Sequence, residues 1–339
     1  MARLSMRDVA ARAQVSIGTV SNVVNNPDIV LPATREKVQQ AIADLGWVPN
    51  QQAQQLRAGR GRTIGLAVMD VTNPFFADLL RAAQDVLFAH GFHATIGDAN
   101  IDEARQTAIL RTFLQQRVRG VILGPIGPQP LEVAALAKAH IPTVLVDRAA
   151  DSVECCAVGV DDVAGGRIAV EHLVSQGHRR VAFVGGPSSL KQIQDRLEGA
   201  QAAALDGGAD LLSISVPQLD FASGRLAADQ VVLMDPRARP TGVFCANDLV
   251  AIAFLQGLTA QGLRVPDDIA IVGYDNIDFA AAAAVPLSSV AQPRQDLGRT
   301  AADLLLAEIA DADADRDHVH TSVSFTPTLV VRASSALTR

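Results

Sequence analysis

The chain has 339 residues, 49% of them apolar and 4% aromatic, enough for two or more domains around a large buried core. Its net charge of −7 argues against a surface that binds nucleic acid throughout. Three cysteines, two of them adjacent (Cys155 and Cys156), make no disulfide framework, and neither a secretory leader nor a membrane-length apolar run is visible; a cytoplasmic chain in a reducing compartment, with no membrane partner, is expected.

Two short helical patterns joined by a tight polar turn open the chain. Val9, Ala10 and Ala13 set an apolar stripe at i, i+1 and i+4. Gln14-Val15-Ser16 makes the turn, and Ser16 is a good N-cap for the second helix, on which Val20, Val23 and Val24 face back to the first. This is helix-turn-helix spacing, in which the second helix enters the major groove with its N-terminal residues on base edges. A third helix, over about 32–45, starts at Pro32-Ala-Thr. Residues 47–62 read as a hinge: Trp47-Val-Pro-Asn50, the helical stretch Gln51–Ala58, then Gly59-Arg-Gly-Arg62. A helix of about eight residues is marginal alone in water and is expected to form only against DNA and a second copy. Residues 1–62 hold eight basic and four acidic residues, a net of +4, which leaves −11 for the remainder. A basic head on an acidic body is the asymmetry of a protein whose head alone meets phosphates.

From Thr63 onward, short apolar runs alternate with helical stretches: Ile64–Val71, His93–Gly97, Gly120–Gly124, Thr143–Asp147, Val181–Gly185, Leu212–Val216, Gly242–Ala246 and Ile269–Asp275. Such alternation predicts parallel sheets covered on both faces. The fold class is therefore α/β, with two doubly wound subdomains whose ligand sits at the carboxyl ends of the strands. Ala280–Ala284 reads as a surface helix and Asp311–Asp317 as a loop. His172 and His178 show no metal-ligand spacing and are read as structural or solvated. Gly185-Gly-Pro187 is no dinucleotide fingerprint, and no Ser/His/Asp set is visible. No enzyme activity, cofactor or metal is expected.

The head carries more than a generic motif. Asp8-Val-Ala, Val15-Ser, Thr19-Val20-Ser21, Val24-Asn25, Thr34-Arg35 and Leu45-Gly-Trp-Val-Pro-Asn50 resemble the lactose-repressor (LacI/GalR) family, and the similarity runs through essentially the whole chain. The core also resembles the ribose-type periplasmic sugar-binding proteins. The resemblance implies a DNA-binding transcriptional regulator, a repressor, with a head at 1–46, a hinge at 47–62 and an effector core at 63–339. Within the core it implies an N-subdomain of about 63–161 and 292–321 and a C-subdomain of about 162–291 and 322–339. It further implies a homodimer on a pseudo-palindromic double-stranded operator, with an effector between the subdomains that moves the hinge ends. The tail from Pro327 has no room for a heptad helix, so the dimer is the expected assembly.

The resemblance assigns DNA contact to Ser16, Ile17, Gly18, Thr19, Ser21, Asn22 and Asn25 in the head and to Asn50, Ala53, Leu56 and Arg57 in the hinge. Ile17 offers an apolar surface suited to a thymine methyl, and Asn22 can pair bidentately with adenine. Gly18 offers no side chain and costs about 1 kcal/mol of helix propensity relative to alanine. Leu56 corresponds to a wedge pushed between base pairs from the minor groove. Arg57, Arg60 and Arg62 would meet phosphates.

For the effector, the resemblance points to Asn73, Phe75 and Phe76, to Asp147 and Arg148, and to Arg196, Phe221, Asn247, Asp275 and Gln292. These residue types suit a polyol: carboxylates accept from hydroxyls, guanidinium and amide groups donate to them, and aromatic faces cover C–H surfaces. The set is most like the ribose-binding one; another small sugar, or a purine or other non-sugar effector, are the alternatives. A sugar-binding protein without a regulatory role would share the core but not the head.

Overall fold

The computed structural model describes residues 4–47, 61–127, 131–148 and 155–336. The hinge positions Asn50, Ala53, Leu56, Arg57 and Arg60 lie outside these residues, as does the side chain of Asn25. The chain divides into two compact units, 1–61 and 62–339.

The first unit is built on α1 (Met6–Ala13), α2 (Ile17–Asn25) and α3 (Pro32–Leu45). Gln14 ends α1 in the left-handed region at φ 56°, and Ser16 Oγ then accepts the Thr19 amide at 3.0 Å to start α2. Val9, Val20 and Val38, one from each helix, are fully buried together with Ala10, Ala13, Val23 and Ala41. Trp47, assigned to the hinge from sequence, belongs to this core: it is 7% exposed. A glycine C-cap explains the extension. Gly46 at φ 59° turns the chain back, so that the Trp47 amide reaches the Ile42 carbonyl at 3.1 Å.

A Cβ added at Gly18 would meet nothing closer than Ser16 Oγ at 3.5 Å, an ordinary contact. Gly18→Ala is therefore expected to stabilise the head by about 1 kcal/mol. Trp47, the single tryptophan, gives the readout. Its fluorescence transition on heating should move up while the core transition, followed by circular dichroism, stays in place. An unmoved or lowered Trp47 transition would contradict the expectation.

The second unit places twelve strands in two sheets among its described residues: β1 (Thr63–Val68), β2 (His93–Asp98), β3 (Gly120–Leu123), β4 (Thr143–Val146), β5 (Cys156–Val160), β6 (Arg180–Gly185), β7 (Asp210–Ser215), β8 (Gly242–Cys245), β9 (Ala270–Asp275), β10 (Ser288–Ala291), β11 (Ser322–Phe325) and β12 (Thr328–Val330). Between them run α4 (Pro74–Ala89), α5 (Glu103–Gln116), α6 (Leu131–Lys138), α7 (Asp162–Ser175), α8 (Lys191–Asp206), α9 (Phe221–Val232), α10 (Asp248–Ala260), α11 (Asp278–Ala282) and α12 (Arg294–Asp313). The first sheet has the order β11-β5-β4-β3-β1-β2 and is parallel throughout; the second runs β12-β10-β9-β8-β6-β7, with only β12 antiparallel. Both halves thus repeat one doubly wound order, 2-1-3-4-5, which opens a crevice at the carboxyl ends where the order reverses. The central strands β3, β4, β5, β8 and β9 are buried along their length, as a sheet sandwiched by helices requires.

Three sequence expectations need correction. β11 pairs with β5 in the first sheet, so the last crossing between subdomains falls at 326–327 rather than 321–322. Asp311–Asp313 form the last turn of α12 rather than a loop, and the expected surface helix at 280–284 is α11, on which Ala281 and Ala282 are exposed but Ala280 is fully buried. Cys155, Cys156 and Cys245 are buried, and none of them is in a disulfide among the described residues. His172 and His178 have structural partners, with His172 Nε2 2.7 Å from Ser335 Oγ and His178 Nδ1 3.1 Å from Thr241 Oγ1.

Candidate functional site

The strand ends bring a polar set together. Asp70 and Asn73 follow β1, Asp147 follows β4, Asn247 follows β8, Asp275 ends β9 and Gln292 follows β10, while α8 contributes Gln192 and Arg196. All eight are buried, and all line one cleft of about 460 Å³, counting the part open to solvent. Its apolar wall is Phe75 and Phe76, packed edge to face with ring centroids 5.0 Å apart, together with Met69, Ile101, Leu190, Ile193 and Leu219.

Helix-start chemistry fixes several of these groups. Asn73 caps α4 by accepting the Phe75 amide at 3.0 Å, which aims its Nδ2 at Asp275 Oδ2, 3.1 Å away in the other subdomain. Gln292 Nε2 donates to Asp275 Oδ1 at 2.8 Å. Gln192 Nε2 donates to the Asp147 carbonyl at 2.7 Å and to Asp147 Oδ2 at 3.2 Å, a second link between the subdomains. Asp147 Oδ1 and Gln292 Oε1 are buried without a partner among the described residues. Asp147 (φ 60°) and Asp275 (φ 100°) both lie in the left-handed region, at equivalent strand ends of the two subdomains. Strain of that kind costs on the order of 1–3 kcal/mol per residue and persists where surrounding structure over-determines it.

Arg196 is anchored rather than loose. Its Nε donates to Asp162 Oδ1 at 2.8 Å, its Nη1 donates to the Ala246 carbonyl at 2.7 Å, and its guanidinium lies 3.7 Å from the Tyr274 ring centroid. Tyr274 Oη donates to the same Asp162 Oδ1 at 2.7 Å. The ion pair forms because α7 and α8 nearly touch: a Cβ at Gly199 would lie 1.9 Å from the Val163 carbonyl oxygen, and one at Gly166 would lie 2.0 Å from that of Arg196. Burial pushes the Asp147 carboxyl well above the usual range, reinforced by Asp162 and Asp275 and opposed by Arg196 and Gln192. Asp275 is raised by burial as well, against Arg196, Asn73 and Gln292. Asp162 is raised for the same first reason, against Arg196 and Tyr274. One guanidinium therefore serves three buried carboxyls.

The structure brings Asn73, Phe75, Phe76, Asp147, Arg196, Asn247, Asp275 and Gln292 to the cleft and leaves two sequence candidates out of its lining. Phe221, expected to face Phe75 and Phe76, is the first residue of α9 and stands 45% exposed; Leu219 and Ile193 occupy that wall instead. Arg148 turns back, its Nη1 donating to the Gly127 carbonyl. Asn247 commits Oδ1 to the Val250 amide at 2.9 Å and Nδ2 to the Leu219 carbonyl at 3.0 Å, shaping the wall more than offering contacts. Gln192 escaped sequence reading although it stands four residues before Arg196, hence on one face of α8.

In the head, Ser16, Ile17, Gly18 and Asn22 are exposed along one side of α2, Thr19 and Ser21 are half-buried, and Val20 and Val23 point inward. Ser16 Oγ and Thr19 Oγ1 lie 2.9 Å apart and share the cap.

Residues 5–50 match the family described as "Bacterial regulatory proteins, lacI family", and residues 170–335 match the periplasmic binding protein-like domain. The HTH-type transcriptional repressor PurR of Aliivibrio fischeri (strain ATCC 700601 / ES114) is 31% identical over 91% of this chain and 93% of its own length. The ribose operon repressor of Escherichia coli (strain K12) is 32% identical over 98% of this chain and 99% of its own. Among solved structures, the lac repressor dimer bound to operator and the anti-inducer ONPF superposes with a TM-score of 0.79 at 26% identity, covering 99% of this chain and 100% of that one.

Proposed function

The chain belongs to the lacI family of bacterial regulatory proteins, and on that premise we propose that it is a homodimeric, sequence-specific transcriptional repressor whose hold on its operator is set by a small neutral sugar, a ribose-like aldose, in the cleft between its core subdomains. The head (1–46) reads bases through Ile17 and Asn22, with Ser16, Thr19, Ser21 and Asn25 beside them. The hinge (47–62) adds Asn50, Ala53, the wedge Leu56 and Arg57. The core (63–339) senses the effector.

One observation carries the choice of effector. Asp147 Oδ1 and Gln292 Oε1 are buried acceptors without a donor, and the single cation among the described residues lining the cleft, Arg196, is already paired with Asp162. Unmet acceptors call for hydroxyl or N–H donors. Surplus negative charge disfavours a phosphate ester. An aldopentose brings several hydroxyls and an apolar C–H face for Phe75 and Phe76. The similarity to the ribose operon repressor supports the same choice. A purine is the second reading, favoured by the similarity to PurR and by the aromatic side chains of the wall, Phe75 and Phe76.

Regulation follows from the two links that cross the cleft, Asn73–Asp275 and Gln192–Asp147. An effector that replaces or reinforces them changes the balance between closure states, and it shifts operator affinity only by its differential affinity for those states. The test is calorimetric titration with D-ribose, D-ribose 5-phosphate and hypoxanthine at two temperatures, since a binding enthalpy can pass through zero at one. Saturation by ribose near one site per chain, with no response to the phosphate, is expected. Silence from ribose with saturation by hypoxanthine would replace the sugar by the purine.

A further inference from the structure

At the opposite, amino-terminal ends of the first sheet's strands lies a cluster that the effector reading does not use. Cys156 begins β5, Glu308 sits on the last turns of α12, and His318 and His320 lie on the segment leading to β11. Cys156 Sγ is 3.3 Å from His318 Nε2 and 3.9 Å from His320 Nδ1, and one ligand atom from each of the four residues lies within 4.8 Å of all the others. Cys156 is buried and the other three are half-buried. We propose that Cys156, Glu308, His318 and His320 form a tetrahedral site for a divalent transition metal, zinc first.

The ligand chemistry fits. A thiolate, two imidazoles and a carboxylate are zinc's ordinary donors, with bonds of about 2.0–2.3 Å, which set neighbouring donors about 3.4 Å apart in a tetrahedron. The Cys156–His318 separation already meets that spacing, and the widest separation needs a contraction of up to about 1.4 Å. Soft sulfur and imidazole donors select against magnesium and calcium. One thiolate and one carboxylate neutralise a dication, which suits a half-buried position.

Three observations beyond the cluster point the same way. Glu308 Oε2 is buried and has no hydrogen-bond partner among the described residues. His318 Nδ1 lies 2.8 Å from Asp311 Oδ2, the carboxylate–histidine arrangement that fixes the ring and leaves Nε2 free for a metal. The Thr321 amide donates to Cys156 Sγ at 3.3 Å, supporting a thiolate there. A pocket of about 720 Å³, counting the part open to solvent, lined by His140, Thr143 and Arg316 besides three of the ligands, opens beside the cluster and offers an ion a route in.

Cobalt(II) titration of the metal-stripped full-length protein tests the site. The expected result is one cobalt per chain, intense visible bands of tetrahedral cobalt, and a near-ultraviolet thiolate-to-cobalt charge-transfer band that zinc abolishes by displacement. Cys156→Ser should remove the charge-transfer band; if that variant fails to fold, His320→Asn, at a half-exposed position, should collapse the tetrahedral spectrum. Asp311→Asn should weaken binding about 10–100-fold, as loss of an outer-shell partner does. No uptake, uptake without a thiolate band, a band surviving Cys156→Ser (which would assign it to Cys155), or a spectrum indifferent to His320→Asn would each overturn the assignment. D-ribose titration of the same samples keeps this outcome separate from the effector reading, because the cluster and the cleft lie at opposite ends of the strands.

Discussion

Replacing Arg196 with alanine is expected to cost the core about 3–5 kcal/mol of stability in addition to its effector response. The resemblance to sugar-binding relatives assigns this arginine to the ligand alone, but the geometry gives it two roles. It is 4% exposed, paired with Asp162 at 7%, stacked on Tyr274 and bonded to the Ala246 carbonyl. Alanine would leave Asp162 as an uncompensated buried charge, with Asp147 and Asp275 close enough to raise its cost. Breaking such a pair on one side is far more costly than removing both charges. The double variant R196M/D162N should therefore recover most of the lost stability without recovering effector binding, since Tyr274 Oη can still donate to an amide oxygen at 162. Urea unfolding followed by circular dichroism reads the core, and Trp47 fluorescence reads the head, which should not move. A wild-type core midpoint for Arg196→Ala would show that the ion pair holds nothing together.

Much of this was legible in the chain because the relevant signals are local. The head could be read from apolar spacing and from Ser16 as a cap, and the structure buries Val9, Val20 and Val23 accordingly. Eight of the strands announced themselves as apolar runs. The four that did not have physical reasons for their silence. β10 reads Ser-Ser-Val-Ala, and its serines are fully buried only because Ser334, Arg332 and Asp248 satisfy them from distant parts of the chain. β11 and β12 are short edge strands with half-exposed patterns, and β5 is five residues opened by a cysteine. At the cleft, motifs located the strand ends but not the side-chain directions. Phe221 fell outside because an aromatic at a helix start can face solvent as readily as the cleft, and Leu219 reached the wall first. The Cys156–Glu308–His318–His320 cluster draws on positions more than 150 residues apart, and only His318-Val-His320 hinted at it locally.

Effector binding is expected to release protons and to tighten as pH rises above the ordinary carboxylate range. Burial holds the Asp147 carboxyl well above 3.8, and Asp275 and Asp162 are raised with it, so part of this cluster is protonated where ordinary carboxyls are ionised. The three titrate as a coupled set around Arg196. In the empty core, a folded-state pKa above the unfolded one means a contribution to stability present in full below 3.8 and lost as pH rises through the raised values. A polyol acts in the opposite sense. Its hydroxyls donate to Asp147 Oδ1, the acceptor now without a partner, and so favour the ionised form. Each pKa unit by which binding lowers the set corresponds to about a tenfold gain in affinity, reached as pH rises through the window between the bound-state and the empty-state values. Above that window the affinity levels off. Titrations with D-ribose in two buffers of different ionisation enthalpy, at one mildly acidic pH, give the number of protons from the difference in heat. Wild type should release them, and Asp147→Asn, which has no proton to lose there, should release fewer and bind with a flatter pH profile. Equal heats in the two buffers for wild type would mean that the ligand meets neutral carboxyls, accepting hydrogen bonds from Asp147 instead of donating to it, and the roles assigned across the cleft would have to be reversed.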